Sequence, residues 1–150
     1  MARVHAADLH RAIVEQAHEG IIFIDCDNRV QLWNHGAEKL FGYSAEEVVG
    51  RSVDIIIPER FRPGHAEGFR RAVAAGQTRL GDRVLTTRAT HKSGSKLYVD
   101  LSFGLVKQGE TVLGAFAVAR DCTARFLQEA QRRVQAAAHQ APSENLTTGR

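Results

Sequence analysis

An α+β domain is what this chain predicts, and three observations carry the prediction. Two short strand-like runs, "GIIFIDCD" and "RVQLWN", come first. Broken helical segments fill the stretch from His35 to Gly76, and three longer strand-like runs follow, the last closing on "VARDCTARF". Helices gathered between the second and third strands, instead of alternating with strands, define the α+β class. With 150 residues, 43% apolar and 25% charged, the chain fits one globular domain able to bury about 70% of its unfolded surface.

Residues 1–19 read as an amphipathic helix. Asp8 is its expected N-cap, Leu9, Ile13 and Ala17 share one face, and Gly20 is its expected stop. The first two strands form a hairpin, because Asp27-Asn28 supplies the short polar side chains that a tight turn favours. From His35 to Pro58 the helical pattern breaks into pieces. Gly42 and Gly50 punctuate it, and Ser44 with Glu47 spells a capping box ahead of Val48 and Val49. Two prolines in "DIIIPERFRPGH" forbid one long helix there. "HAEGFRRAVAAG" reads as a regular helix stopped by Gly76.

Residues 79–91 are expected to form the third strand, leading into the polar turn "HKSG". "KLYVDLSFGLV" alternates, with Leu97, Val99, Leu101 and Phe103 on one face and Tyr98, Asp100 and Ser102 on the other. "KQGE" turns the chain again, and "TVLGAFAVARD" is too apolar to face water on both sides. Beyond Cys122, Leu127, Ala130, Val134 and Ala137 recur at helical spacing, the seam of a short coiled coil or of a helix packed on the sheet. The resulting division is an N-terminal helix over 1–19, a core over 20–123, a C-terminal helix over 124–139 and a disordered tail over 140–150.

Charge and composition exclude several roles. A net charge of +3 spread along the chain gives no nucleic-acid footprint; even Arg132-Arg133 reads as a solvated face. No apolar run is long enough to cross a bilayer, and no signal-peptide core is visible. Two cysteines make no disulfide framework, so a reducing cytoplasm is expected. Cys26 and Cys122 read as small residues at tolerated sites. No nucleophile, base and orienting group occur together, and Asp25, Asp27 and Asp121 are explained as turn or cap residues, so no enzyme is expected. His5, His10, His18, His35, His91 and His139 show no metal-ligand spacing. Trp33 is expected to pack against the helical cap, and Asn34 to hold the strand-to-helix junction by bonding backbone amides.

Over about residues 8–128 the chain resembles a PAS sensory domain. The marks are "GIIFIDCDNRVQLWNHGAEKLFGYSAEEVVGRS", the "HKSG" turn and the terminal "RDCT" ahead of the exit helix. The resemblance implies a five-stranded antiparallel sheet of order 2-1-5-4-3, with a helical cap over a pocket on one face and helices flanking the domain at both ends. Family members sense through haem, flavin or small metabolites, or mediate dimerisation. The light-sensing flavin members use a reactive cysteine in the helical region; here that region reads "IIIPERFRPGH", which argues against adduct chemistry.

"PERFRPGHAEGFRRAVAAGQTR" resembles the matching helix of haem-binding oxygen sensors of rhizobial type. The resemblance implies that His65 is the proximal ligand of haem (heme b) and the one metal-binding residue. It further implies that Arg83 faces bound gas or a propionate and that Arg71 faces a propionate. Val84, Leu101, Phe103, Phe116 and Val118 would line the dry distal side. An imidazole on one side of an iron leaves the opposite axial position open. The expected function is a stand-alone sensory PAS protein, a haem-based gas or redox sensor acting through dimer geometry. The alternative is a PAS module without haem that binds a small metabolite or only mediates protein interaction. Expected partners are a second copy, paired through the terminal helices, and a separate signalling protein such as a kinase or regulator. Neither nucleic acid nor a membrane is expected as a partner.

Overall fold

A computed structural model describes residues 3–140. Five helices, α1 (Ala6–Gln16), α2 (His35–Phe41), α3 (Ala45–Val48), α4 (Arg62–Ala75) and α5 (Thr123–Gln140), surround five strands. The strands are β1 (Gly20–Asp25), β2 (Val30–Trp33), β3 (Leu85–Thr90), β4 (Lys96–Gln108) and β5 (Thr111–Asp121). They form one antiparallel sheet of order β2-β1-β5-β4-β3, as the resemblance implied. Two single 3-10 turns, Val53–Ile56 and Glu59–Phe61, join α3 to α4, where Pro58 and Pro63 forbid a continuous helix.

Local chemistry explains most boundaries. In the β1–β2 turn the Asp25 carboxylate accepts from the backbone N–H groups of Asp27 and Arg29. Asn28 takes a left-handed conformation at φ 64°, which its short amide side chain tolerates. Ser44 and Glu47 form the capping box reciprocally. Gly76 stops α4 at φ 71°, a conformation that costs a glycine nothing.

Asn34 is the most connected buried polar side chain. Its Oδ1 accepts from the N–H of Ile21 (2.7 Å) and of Ala37 (2.9 Å). Its Nδ2 donates to the carbonyls of Val14 (2.8 Å) and Glu19 (3.0 Å). One amide therefore ties α1, β1 and α2 together. Gly36 lies so close to the same segment that a Cβ would fall 2.1 Å from the Glu19 carbonyl oxygen. Below this junction the Trp33 ring tilts against Phe41 (centroids 5.2 Å apart) and donates from Nε1 to the Tyr43 carbonyl. Phe41, Val30, Val48 and Val99 are the largest fully buried side chains, so the core is densest under α2 and α3.

Three expectations are corrected. The first helix starts at Ala6 behind His5 and ends at Gln16. Asp8 therefore sits inside the first turn, where its charge favours the helix dipole, and Gly20 opens β1. The third strand begins at Leu85, not at residue 79; Gly76 and Gly81 both hold positive φ, and the segment between α4 and β3 is a loop. The C-terminal helix runs through Gln140, so the expected tail keeps only residues 141–150, which lie outside the described residues.

Candidate functional site

The inner face of the sheet is set by cross-strand register. Leu101 pairs with Ala119, Phe103 with Ala117 and Leu105 with Ala115, placing three large β4 side chains opposite three small β5 ones. Alanines at these positions leave room above the sheet. α4 spans that room, yet none of its fourteen residues is fully buried. The result is a cavity of about 1130 Å³ between α4, the 3-10 turns and strands β3 to β5. This volume slightly exceeds the usual range of clefts that hold small ligands.

His65 lies in the first turns of α4 and lines the cavity. Its ring stacks with Phe69 one turn later, with centroids 6.3 Å and planes 11° apart. Its Nδ1 is buried and has no hydrogen-bond partner. Burial pushes the imidazole pKa below its ordinary value, and the negative charge of Asp54 only partly offsets this. The ring is thus neutral at neutral pH, the form that ligates metals. The Nδ1 nitrogen is closed to solvent and to the cavity alike, as are the Arg88 Nε and the Asn28 Oδ1, so it is the other edge of the ring that is available to a cavity ligand.

The other expected site residues divide. Leu101 and Phe103 line the cavity, and Phe116 borders it, although its ring packs over Gly104, its cross-strand neighbour. Arg71 also lines it, but its Nε donates to Glu67 at 3.0 Å. Arg83, Val84 and Val118 are not among the lining residues. Arg83 is exposed in the loop before β3, its guanidinium donating to the carbonyls of Leu80 and Arg79. Val84 is 62% exposed. Val118 pairs with Ser102 and Ile21, so the two-residue period of the sheet puts it on the opposite face from Ala117 and Ala119.

Several cavity residues were missed. Leu105 continues the alternation of Leu101 and Phe103, and Phe69 follows His65 at helical spacing; both signals were visible. Leu85, Arg60 and Arg88 also line the cavity, brought there by strand register and by the turn ahead of α4, which spacing does not reveal. Among the described residues no three His, Cys, Asp or Glu side chains gather to chelate a bare metal ion. A haem places a lesser demand on the protein, because the porphyrin supplies four nitrogen ligands and one imidazole suffices. The residues present fit that requirement: one neutral imidazole, an apolar wall and a cavity of sufficient volume.

The fold is thus a capped antiparallel sheet beside a ligand-sized cavity, with a helix at each end of the domain. The PAS fold family model matches residues 8–122, and the chain belongs to the PAS family, whose members sense rather than catalyse. The oxygen sensor protein DosP of Escherichia coli (strain K12) is 32% identical over 120 residues, covering 80% of this chain and 15% of DosP. The sensor protein FixL of Bradyrhizobium diazoefficiens is 29% identical over 99 residues, covering 66% of this chain and 20% of FixL. The chain thus spans about a fifth or less of the length of these curated relatives. Among solved structures, the PAS domain of a Colwellia psychrerythraea protein superposes with a TM-score of 0.69 at 21% identity, over 79% of this chain and 98% of that one. An RNA-binding light-oxygen-voltage receptor superposes at 0.71 and 21% identity, over 91% and 40%. At these identities the superpositions speak for the fold alone. Among the described residues no helix is long and apolar enough to cross a membrane.

Proposed function

We propose that this PAS module binds haem b, with His65 as the axial ligand from α4. The observation that carries the reading is the neutral, partly buried imidazole in the wall of a large, mostly apolar cavity. Two relatives, DosP and FixL, are an oxygen sensor protein and a sensor protein, which supports a sensing role. Leu101, Phe103 and Leu105 keep water from the sheet side of the cavity, and Phe69 fixes the plane of the His65 ring. His65 would hold the haem, which when bound would supply the capacity to bind a diatomic gas.

Signal output would run through the terminal helices. α1 leaves Leu9 and Ile13 48% and 58% exposed, and α5 leaves Leu127 and Val134 52% and 70% exposed. Two apolar stripes of this kind suit a second copy of the chain, and a separate kinase or regulator would read the dimer geometry. A colourless apolar acid is the second occupant to consider, because no carboxylate lines the cavity while several arginines do. An absorbance spectrum of protein made with haem available separates the two. A strong band near 400 nm is expected; a colourless protein that still takes up an apolar acid would replace the haem reading with the second one.

A further inference from the structure

Five arginines, at positions 60, 70, 71, 79 and 88, line the cavity together with His65, and no Asp or Glu does. Arg70 and Arg71 share the Glu67 carboxylate at 2.8 and 3.0 Å. Among the described residues Arg60 and Arg88 have no carboxylate within ion-pair distance. Both gather at one ring. The Arg60 guanidinium carbon lies 4.5 Å from the centroid of Phe61, and that of Arg88 lies 5.9 Å from it. Arg60 and Phe61 belong to the 3-10 turn before α4, whereas Arg88 comes from edge strand β3. The Nε of Arg88 is buried and donates to nothing.

Two like charges brought to one apolar ring repel each other, and a buried guanidinium donor without an acceptor is destabilising. The quadrupole of one aromatic face offsets little of this. A carboxylate in the cavity offsets the repulsion, because guanidinium donors match carboxylate oxygens in charge and in planar geometry; the Arg88 Nε, closed to the cavity, is not the donor it would meet. Phe61 precedes His65 by four residues, so this charged corner and the imidazole belong to one wall.

We propose that Arg60 and Arg88, gathered on Phe61, form an anion subsite that receives a carboxylate of the cavity ligand. The ligand class is therefore an apolar body bearing an acid. The inference rests on the reading that the cavity holds a ligand, and it stands whether the carboxylate is a haem propionate or belongs to a free apolar acid.

The test compares acid with ester on the same protein. Ligand-free chain is titrated with ferric haem and with its dimethyl ester, followed by absorbance. It is titrated separately with cis-parinaric acid and its methyl ester, followed by fluorescence. Wild type is expected to prefer the acid form at least tenfold with whichever scaffold it accepts. Arg60→Gln combined with Arg88→Gln is expected to abolish that preference while leaving the haem band where it is, since His65 remains. A preference seen only with parinaric acid keeps the subsite and discards the haem reading. Equal binding of acid and ester by wild type overturns the subsite without reference to any variant. So does a preference that survives in a folded double variant, and so does wild type that takes up none of the four probes.

Discussion

Tyr98 on β4 and Phe126 on α5 stack face to face, with ring centroids 3.8 Å and planes 11° apart. Around them, Arg125 of α5 pairs with Asp100 of β4 at 2.8 Å, and Thr86 of β3 donates to the same carboxylate at 2.6 Å. The N–H of Cys122 and the hydroxyl of Thr123 close on the Tyr98 carbonyl. The strand that lines the cavity with Leu101 and Phe103 on one face thus carries the root of the exit helix on the other. β4 therefore touches both the cavity and α5, with no element between them.

Phe126→Ala is expected to loosen that root. Loss of the stack costs about 1 kcal/mol beyond the lost burial, and α5 has no fully buried residue to compensate. Amide exchange over residues 123–130 should quicken at least tenfold while exchange in β1 and β5 stays slow. Unchanged exchange in α5 would show that the stack does not anchor it.

Asn34→Ala is expected to destabilise the fold by more than about 3 kcal/mol, because it strands the N–H groups of Ile21 and Ala37 and the carbonyls of Val14 and Glu19 in a closed junction. Urea denaturation checks this. A loss under about 1 kcal/mol would mean that water or backbone movement replaces the amide.

Acid should weaken the ligand-free protein through His65. The unfolded chain takes up the proton near pH 6.5, the ordinary imidazole value, whereas burial depresses the folded value. Below about pH 6.5 the unfolded state holds more protons, so stability present at neutral pH is lost as the pH falls. Between pH 7.5 and 5.5 the urea midpoint of wild type should drop further than that of His65→Gln. Parallel drops in both proteins would assign the acid sensitivity elsewhere.

The terminal stripes make a separate prediction. Ile13→Glu together with Val134→Glu should convert a dimer to a monomer by light scattering at micromolar concentration, with the sheet intact by circular dichroism. Both positions are more than half exposed in one chain, so neither change disturbs its own core. A double variant that still elutes as a dimer would place the interface off the terminal helices.

Sequence patterns fixed by local chemistry were readable: the Asp25–Asn28 turn, the Ser44–Glu47 capping box and the alternation of Leu97 to Phe103 all follow from residues adjacent on the chain. The strand β5 was readable, but its inward face was not, for a physical reason. "TVLGAFAVARD" is apolar on both faces, so no alternation says which residues face inward. Only its register with β4 shows that Ala115 and Ala117 open the cavity and Ala119 joins the core on the same face, while Val118 faces away. The early start expected for β3 had a similar cause, since nothing in residues 79–84 but Gly81 signals a loop. The meeting of Arg60 and Arg88 at Phe61 depends on tertiary packing and has no signature in spacing. His65 was legible through resemblance; its unpartnered nitrogen was not.

The most direct test of the central claim is a haem titration of His65→Gly with and without imidazole. Wild type should show a strong band near 400 nm. The variant should show a weakened or shifted band that millimolar imidazole returns to the wild-type position, because the free ring fills the vacated place beside Phe69. A wild type without the band, or a variant whose spectrum matches wild type before any imidazole is added, would contradict ligation by His65.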